Sequence, residues 1–201
     1  MYQHSHQTYE GVDFGDQDLR YGELVNCTFN RCAFPNGSLE ELTSLNCRFI
    51  ACDFRGASLN GSIHKQTAFE NCNFNGANLF VSKFEHCKMM GSTFSGATLD
   101  GITILQGDWS YTNLRNAKLA KQDLRGIKFY EADLSGADLE KADLRDSDLT
   151  MASLTQAKLL GADVRGAKME GVDFKQFPVA GLRLDNEQSV LLCLSFGAKV
   201  G

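Results

Sequence analysis

Large apolar residues recur along this chain at every fifth position. The series runs through Phe14, Leu19, Leu24, Phe29, Phe34 and Leu39 and continues from Phe49 to Phe174; only Ser44 and His64 interrupt it, and neither shifts its phase. Five matches neither the period of an α-helix nor the two-residue alternation of a strand. Two residues before each large side chain stands a small one, as at Cys27, Cys32, Cys47, Cys52, Ala57, Cys72 and Ala132. The other three positions are mostly polar or glycine, so two side chains in five point inward and three face water. Glycine in the last place, as at Gly56, Gly76 and Gly136, suits a corner where the chain turns sharply.

A second period gives the number of sides. Steps of twenty from Leu19 meet leucine at 39, 59, 79, 99, 119, 139 and 159, and the same step from Phe14 meets Phe34, Phe54, Phe74 and Phe94. Four five-residue sides per turn, with like residues stacked, predict an all-β solenoid. With strands about 4.8 Å apart, roughly eight turns make a rod on the order of 40 Å long. The repeats are assigned to residues 1–176, with a polar leader at 1–9, and residues 177–201 to a C-terminal cap and dimerisation module. The phase is lost at Phe177-Pro178, after which Asp185 or Asn186 can cap a helix running to Phe196 and stopped by Gly197. A solenoid exposes its core at both ends unless something covers them. This helix is apolar on nearly every side. One face can therefore close the last coil while Val190, Leu191, Leu194 and Phe196 meet a second copy, two-fold dimers being the commonest oligomers.

Composition narrows the function classes. Of 201 residues, 22% are charged and 43% apolar, which fits neither a disordered nor a membrane-spanning chain. The first seven residues lack the basic and apolar regions of a secretion signal, so a cytoplasmic location with no membrane contact is expected. Six of the seven cysteines fall on the small inward column, where they read as reduced, buried small hydrophobes rather than as disulfides or metal ligands. His64 occupies a core slot with no nucleophile or acid specifically implicated beside it. No phosphate loop, metal motif or nucleophile elbow occurs. No catalytic residue, cofactor or metal is expected, and the chain is not read as an enzyme.

The net charge of −5 argues against direct nucleic-acid binding. The acids outnumber the bases 11 to 7 in residues 1–100 and 14 to 13 in the remainder. Asp123, Asp143 and Asp163 run beside Arg125, Arg145 and Arg165 and read as neutralising ladders. Candidate partner contacts are therefore sought in the first half. Asp13, Asp16, Asp18 and Glu23 lie near its tip. Ser44 and His64, twenty apart, suggest a bulge displaced outward together with Glu40 and Glu41, either a contact site or a tolerated irregularity. Asp100 and Asp108 flank a stretch where Ile102 and Gly107 take the small column.

Repeats such as Ala132-Asp133-Leu134-Ser135-Gly136 and Ala137-Asp138-Leu139 resemble those of the pentapeptide-repeat family over about residues 10–176. That resemblance implies a right-handed quadrilateral β-helix. Residues 69–74 (Phe-Glu-Asn-Cys-Asn-Phe), residues 84–92, the tail Leu184-Asp185-Asn186-Glu187-Gln188-Ser189-Val190 and Phe196-Gly197 are similar to the MfpA/Qnr-type quinolone-resistance proteins. The Qnr proteins carry projecting loops, whereas the unbroken phase here leaves room for a short bulge at most. The resemblance implies a homodimer that binds DNA gyrase, with topoisomerase IV as a second target, by imitating duplex DNA. The consequence would be protection from a poison such as a quinolone or a natural-product toxin. The alternative is a repeat scaffold or regulator that docks a different protein.

Overall fold

Each five-residue repeat forms one side of a coil, and the chain closes a turn every twenty residues. The computed structural model, which describes residues 3–200, divides into two compact units, residues 1–108 and 109–201. In the first unit ten strands stack in parallel: β1 (Gln3–Ser5), β2 (Thr8–Glu10), β3 (Glu23–Val25), β4 (Thr28–Asn30), β5 (Thr43–Leu45), β6 (Arg48–Ile50), β7 (Ile63–Lys65), β8 (Ala68–Glu70), β9 (Lys83–Lys88) and β10 (Thr103–Asp108). The register is twenty throughout, with Leu24 opposite Ser44, Ser44 opposite His64, and His64 opposite Phe84. β1-β3-β5-β7 form one side and β2-β4-β6-β8 the next; both end on β9, which is long enough to serve the two. The other two sides are held by single bridges, Asp13–Ala33–Asp53–Asn73–Thr93 and Asp18–Ser38–Ser58–Asn78–Thr98. In the second unit every side is of this single-bridge kind, for example Asp123–Asp143–Asp163–Arg183. A 3-10 turn at Phe174–Gln176 and the helix α1 (Asn186–Ser195) follow. The fold is a parallel β-solenoid with one short C-terminal helix. Among the described residues, no helix is long and apolar enough to cross a membrane.

The repeat is explained by where its peptide N–H groups go, since a buried one left unpaired is costly. Around Phe54, the Asp53 N–H donates back one turn to Cys32 O (2.9 Å), and the N–H groups of Phe54 and Gly56 donate forward to Asn73 O (2.7 Å) and Asn75 O (3.1 Å). The Ala57 N–H closes the corner onto Phe54 O (3.0 Å). The Arg55 N–H is left over, and the side chain of Asp53 takes it (3.1 Å to Oδ1). The same bond recurs from Gly15 to Asp13, Asn75 to Asn73, Ser135 to Asp133 and Glu140 to Asp138. Asp or Asn before the large residue is therefore a turn-forming device. Pro35, which has no N–H, stands at this leftover position. The next residue turns the corner in the left-handed region. There Gly56, at φ +65°, turns the corner without the strain a side chain adds, and Asn36 holds the same corner one turn away at φ +52°.

Inside, the inward columns stack. Phe14, Phe34, Phe54, Phe74 and Phe94 stack nearly parallel in series at 4.7–5.0 Å between centroids. A second column, Tyr9, Phe29, Phe49 and Phe69, meets the first edge to face. Offset stacks and edge-to-face pairs are the favoured aromatic geometries. All six inward cysteines are buried and free, and Cys52, Cys72 and Cys87 each lie 3.3 Å from a carbonyl oxygen of the preceding turn. Burial pushes the Cys47 thiol up to about 11 and that of Cys87 up to about 12, which keeps them protonated and inert.

Two expectations are corrected. The leader at 1–9 is, from Gln3 onward, part of the solenoid: β1 and β2 pair with β3 and β4, and Tyr9 stacks on Phe29. Met1 and Tyr2 lie outside the described residues. No bulge forms at Ser44 and His64 either; both remain in register and are 2% and 1% exposed. A core slot can hold them because their polar atoms pair with each other. Ser44 Oγ lies 2.7 Å from His64 Nδ1 and 3.1 Å from Thr67 Oγ1, and His64 Nε2 lies 3.0 Å from Ser62 Oγ.

Burial holds the His64 imidazole down at about 3, so it is neutral in the folded protein. Between that value and the ordinary histidine pKa near 6.5, the unfolded chain binds a proton that the folded chain does not. Stability then falls as pH falls, by about 1.4 kcal/mol per pH unit. His64→Phe, which restores an aromatic between Ser44 and Phe84, removes this term. Urea denaturation at pH 6.5 and pH 5 should show the native chain losing about 2 kcal/mol more than the variant. Parallel losses would contradict the assignment.

Candidate interaction surface

Function on such a scaffold has to come from the outward positions. Among the described residues, no group of three or more His, Cys, Asp and Glu side chains is arranged to hold a metal ion.

In the first unit the acids expected near the tip are exposed but do not converge. Asp13 and Asp18 sit on two different single-bridge sides, Asp16 lies at the corner between them, and Glu23 starts β3 on a third side. Asp18 is gripped by Arg20 at 2.8 and 2.6 Å, and this hydrogen bonding lowers its carboxyl to about 2. That leaves a charge-neutral pair in which Asp18 contributes little field. Asp13 takes the leftover Gly15 N–H (2.8 Å). Ser44 and His64, proposed as contacts, are corrected to core residues that no partner can touch. Asp108 ends β10, half-buried.

The register does bring Glu40, Glu41 and Asp100 onto one edge. Their corner column reads Glu40-Glu41, Asn60-Gly61, Phe80-Val81 and Asp100-Gly101, tied by Glu41 N–H to Asn60 O (3.0 Å), Gly61 N–H to Phe80 O (2.9 Å) and Val81 N–H to Asp100 O (3.1 Å). Between the acids stand two large apolar side chains that sequence reasoning passed over: Phe80 is 49% exposed and Val81 48%. Val81 also turns its corner at φ +50°, the one β-branched residue among the described left-handed positions. Such a residue there is a genuine outlier, with a cost of about 1–3 kcal/mol. The available signal was that Leu79 alone among the repeats is followed by two large apolar residues.

On the neighbouring edge, Asn26, Asn46, Gln66 and His86 form a polar column, with Asn46 Nδ2 donating to Asn26 Oδ1 at 2.7 Å. Beside it a shallow groove of about 520 Å³ opens because Ala68 occupies an outward place between Arg48 and Lys88. Glu70 lies across its floor, 3.6 Å from Arg48.

The second unit is electrically quiet on one side. Arg125, Arg145 and Arg165 each clasp the aspartate two residues back at 2.6 Å, and Arg125 and Arg183 also reach Asp143 and Asp163, each at 3.7 Å. These pairs hold the Asp123, Asp143 and Asp163 carboxyls below the usual carboxylate range. The helix α1 is seated by a capping box. Asp185 Oδ1 accepts from Glu187 N (2.9 Å), and Gln188 Oε1 accepts from Asp185 N (3.0 Å). The fully buried Gln188 donates to Ala167 O (2.9 Å), and Asp185 Oδ2 accepts from Gly166 N (2.6 Å), which locks the helix to the last coils. That orientation leaves Val190, Leu194 and Phe196 exposed and Leu191 half-buried.

Comparison with known proteins agrees with this geometry. In solved structures the whole chain is similar to QnrB1, a plasmid-mediated fluoroquinolone resistance protein. Full-length QnrB1 matches with a TM-score of 0.86 at 22% identity over 98% of this chain and 100% of that one. A trypsin-treated variant of QnrB1 gives 0.87 at 23% identity over 99% of each. Likeness at this identity speaks for the fold. No curated protein matches in sequence. The model of a pentapeptide repeat region matches residues 77–154, and that of pentapeptide repeats (8 copies) matches 52–96 and 137–176. Together they span residues 52–176, well over half of the chain, which belongs to the pentapeptide-repeat family.

Proposed function

We propose that this protein binds DNA gyrase, with topoisomerase IV as a second target, in place of duplex DNA, and that it thereby shields the enzyme from a poison such as a quinolone or a natural-product toxin. The observation that carries this reading is the likeness to QnrB1 over essentially the full length of both chains, the C-terminal helix included. A surface of net charge −5, with the excess of acid in residues 1–100, suits a basic protein groove built for phosphate. Protection is by occupancy in the cytoplasm, without catalysis, in keeping with protonated thiols and a neutral, buried His64. Dimerisation completes the reading. Val190 and Leu194, one helical turn apart, form an apolar strip, with Leu191 half-buried beside it and Phe196 exposed at the end of the helix, and a second copy would cover these groups.

A second reading, a scaffold docking a different protein, draws on the Asp–Arg ladder of the second unit, which presents paired rather than free carboxylates. A supercoiling assay with purified gyrase, titrating this protein with and without ciprofloxacin, separates the two. Inhibition of supercoiling, or rescue from the drug, is expected; indifference to both, across several poisons, would favour the scaffold. Changing Asp13, Asp16 and Asp18 together to Lys should weaken gyrase binding about tenfold or more if the tip faces the basic groove. Equal affinity would remove the tip from the contact. Leu194→Glu places a charge in the apolar strip and should give monomers by light scattering, while a persisting dimer would refute this interface.

A further inference from the structure

The first unit holds its cations in ion pairs, with one exception. Arg20 and Arg55 clasp Asp18 and Asp53 at 2.6 and 2.7 Å, and Lys65 lies 3.2 Å from Glu85, which Lys83 also grips. Arg31 and Arg48 stand farther from their carboxylates, 3.8 Å from Glu10 and 3.6 Å from Glu70. Among the described residues of this unit, Lys88 is the one lysine or arginine with no carboxylate at ion-pairing distance. It borders the groove of about 520 Å³, and so does Arg48. Both belong to one outward column, two turns and about 10 Å apart along the backbone, with Ala68 between them. Ala68 makes the gap, because a longer side chain there would fill the space that the two cations enclose. Gln66 and His86 line the same groove from the adjoining corner column, and among the described residues neither side chain has a hydrogen-bond partner. Glu70 is the single carboxylate of the lining. At 3.6 Å it attracts Arg48 without taking a hydrogen bond, so the guanidinium keeps its donors.

We infer that this groove binds a compact tetrahedral oxyanion, inorganic phosphate or a phosphate monoester, between Arg48 and Lys88 and over Ala68. Charge selects an anion, since two cations face one carboxylate. Direction selects its shape. The guanidinium approaches from one end of the groove, the ammonium from the other, and Gln66 and His86 from the side. A tetrahedral anion can offer an oxygen to each, whereas a planar carboxylate suits a single guanidinium fork. A gap one side chain wide, with Glu70 at its floor, disfavours a long polyanion such as a nucleic acid. The inference is independent of the gyrase reading.

The test is a titration of the isotopically labelled full chain with sodium phosphate, sodium chloride holding the ionic strength constant, followed through the backbone amide resonances. Saturable shifts centred on residues 46–48, 66–70 and 86–88 are expected. Lys88→Gln, which removes an exposed charge, and Ala68→Leu, which fills the gap, should each weaken binding about tenfold or more. Sodium acetate should bind about tenfold more weakly than phosphate. Glycerol 3-phosphate distinguishes the sources: tighter binding than phosphate assigns the site to a monoester, weaker binding to the free ion, and either supports the proposal. Absence of a saturable shift in the native chain would overturn it. So would undiminished affinity in Lys88→Gln, a variant that disturbs no packing and therefore decides the matter even if Ala68→Leu loses stability. Acetate binding as tightly as phosphate would overturn the tetrahedral assignment.

Discussion

Each unit depends on a ladder of peptide hydrogen bonds, in which a turn donates to and accepts from the turns twenty residues away within that unit. Once that ladder is in place, every five-residue side must deliver its polar groups at the same heights as its neighbours, and the side chains have little freedom of direction. The ladder leaves one N–H per repeat unserved, and an Asp or Asn immediately before the large residue serves it, as Asp53 does for Arg55. The column of phenylalanines follows from the same constraint, since rings set one turn apart fall at a stacking distance without adjustment. Even the scarcity of proline follows, because four of the five N–H groups are needed elsewhere.

A backbone so fully committed leaves function to the outward side chains, and these differ between the units. Along Asp123 to Arg183, carboxylates and guanidinium groups neutralise one another in a continuous ladder. Exposed pairs of this kind add little stability. Their clearer effect is to erase the field of that side. In the first unit one edge carries an exposed Phe80 and a left-handed Val81, in the same corner column as Glu41 and Asp100. The C-terminal helix is a third kind of surface, held in place by the buried amide of Gln188 and apolar where it faces outward.

Much of this was legible in the sequence. The five-residue phase, the twenty-residue stacking, the inward cysteines, the Asp–Arg ladder and the capping of α1 by Asp185 all follow from spacing, because a solenoid converts sequence distance directly into spatial neighbourhood. The misreadings share a cause. Ser44 and His64 look like a defect when polarity is judged residue by residue, yet a pair stacked in register satisfies itself with help from Ser62 and Thr67. The residues before Glu10 look like a leader because His4 and Tyr9 are polar-tipped, although they occupy the inward places of the first coil and hydrogen-bond to each other. Phe80 and Val81 stand at outward places, where the five-residue phase fixes no residue type and so marks no exception. The backbone angle that makes Val81 anomalous exists only in the structure.

The central claim is that this protein occupies the place of duplex DNA on gyrase, and competition tests it most directly. A fluorescent linear duplex bound to purified gyrase should be displaced as this protein is added, with the two never bound together and the apparent affinity for the protein falling as salt rises. A stable ternary complex of gyrase, duplex and this protein, with the duplex signal unchanged at saturation, would contradict it.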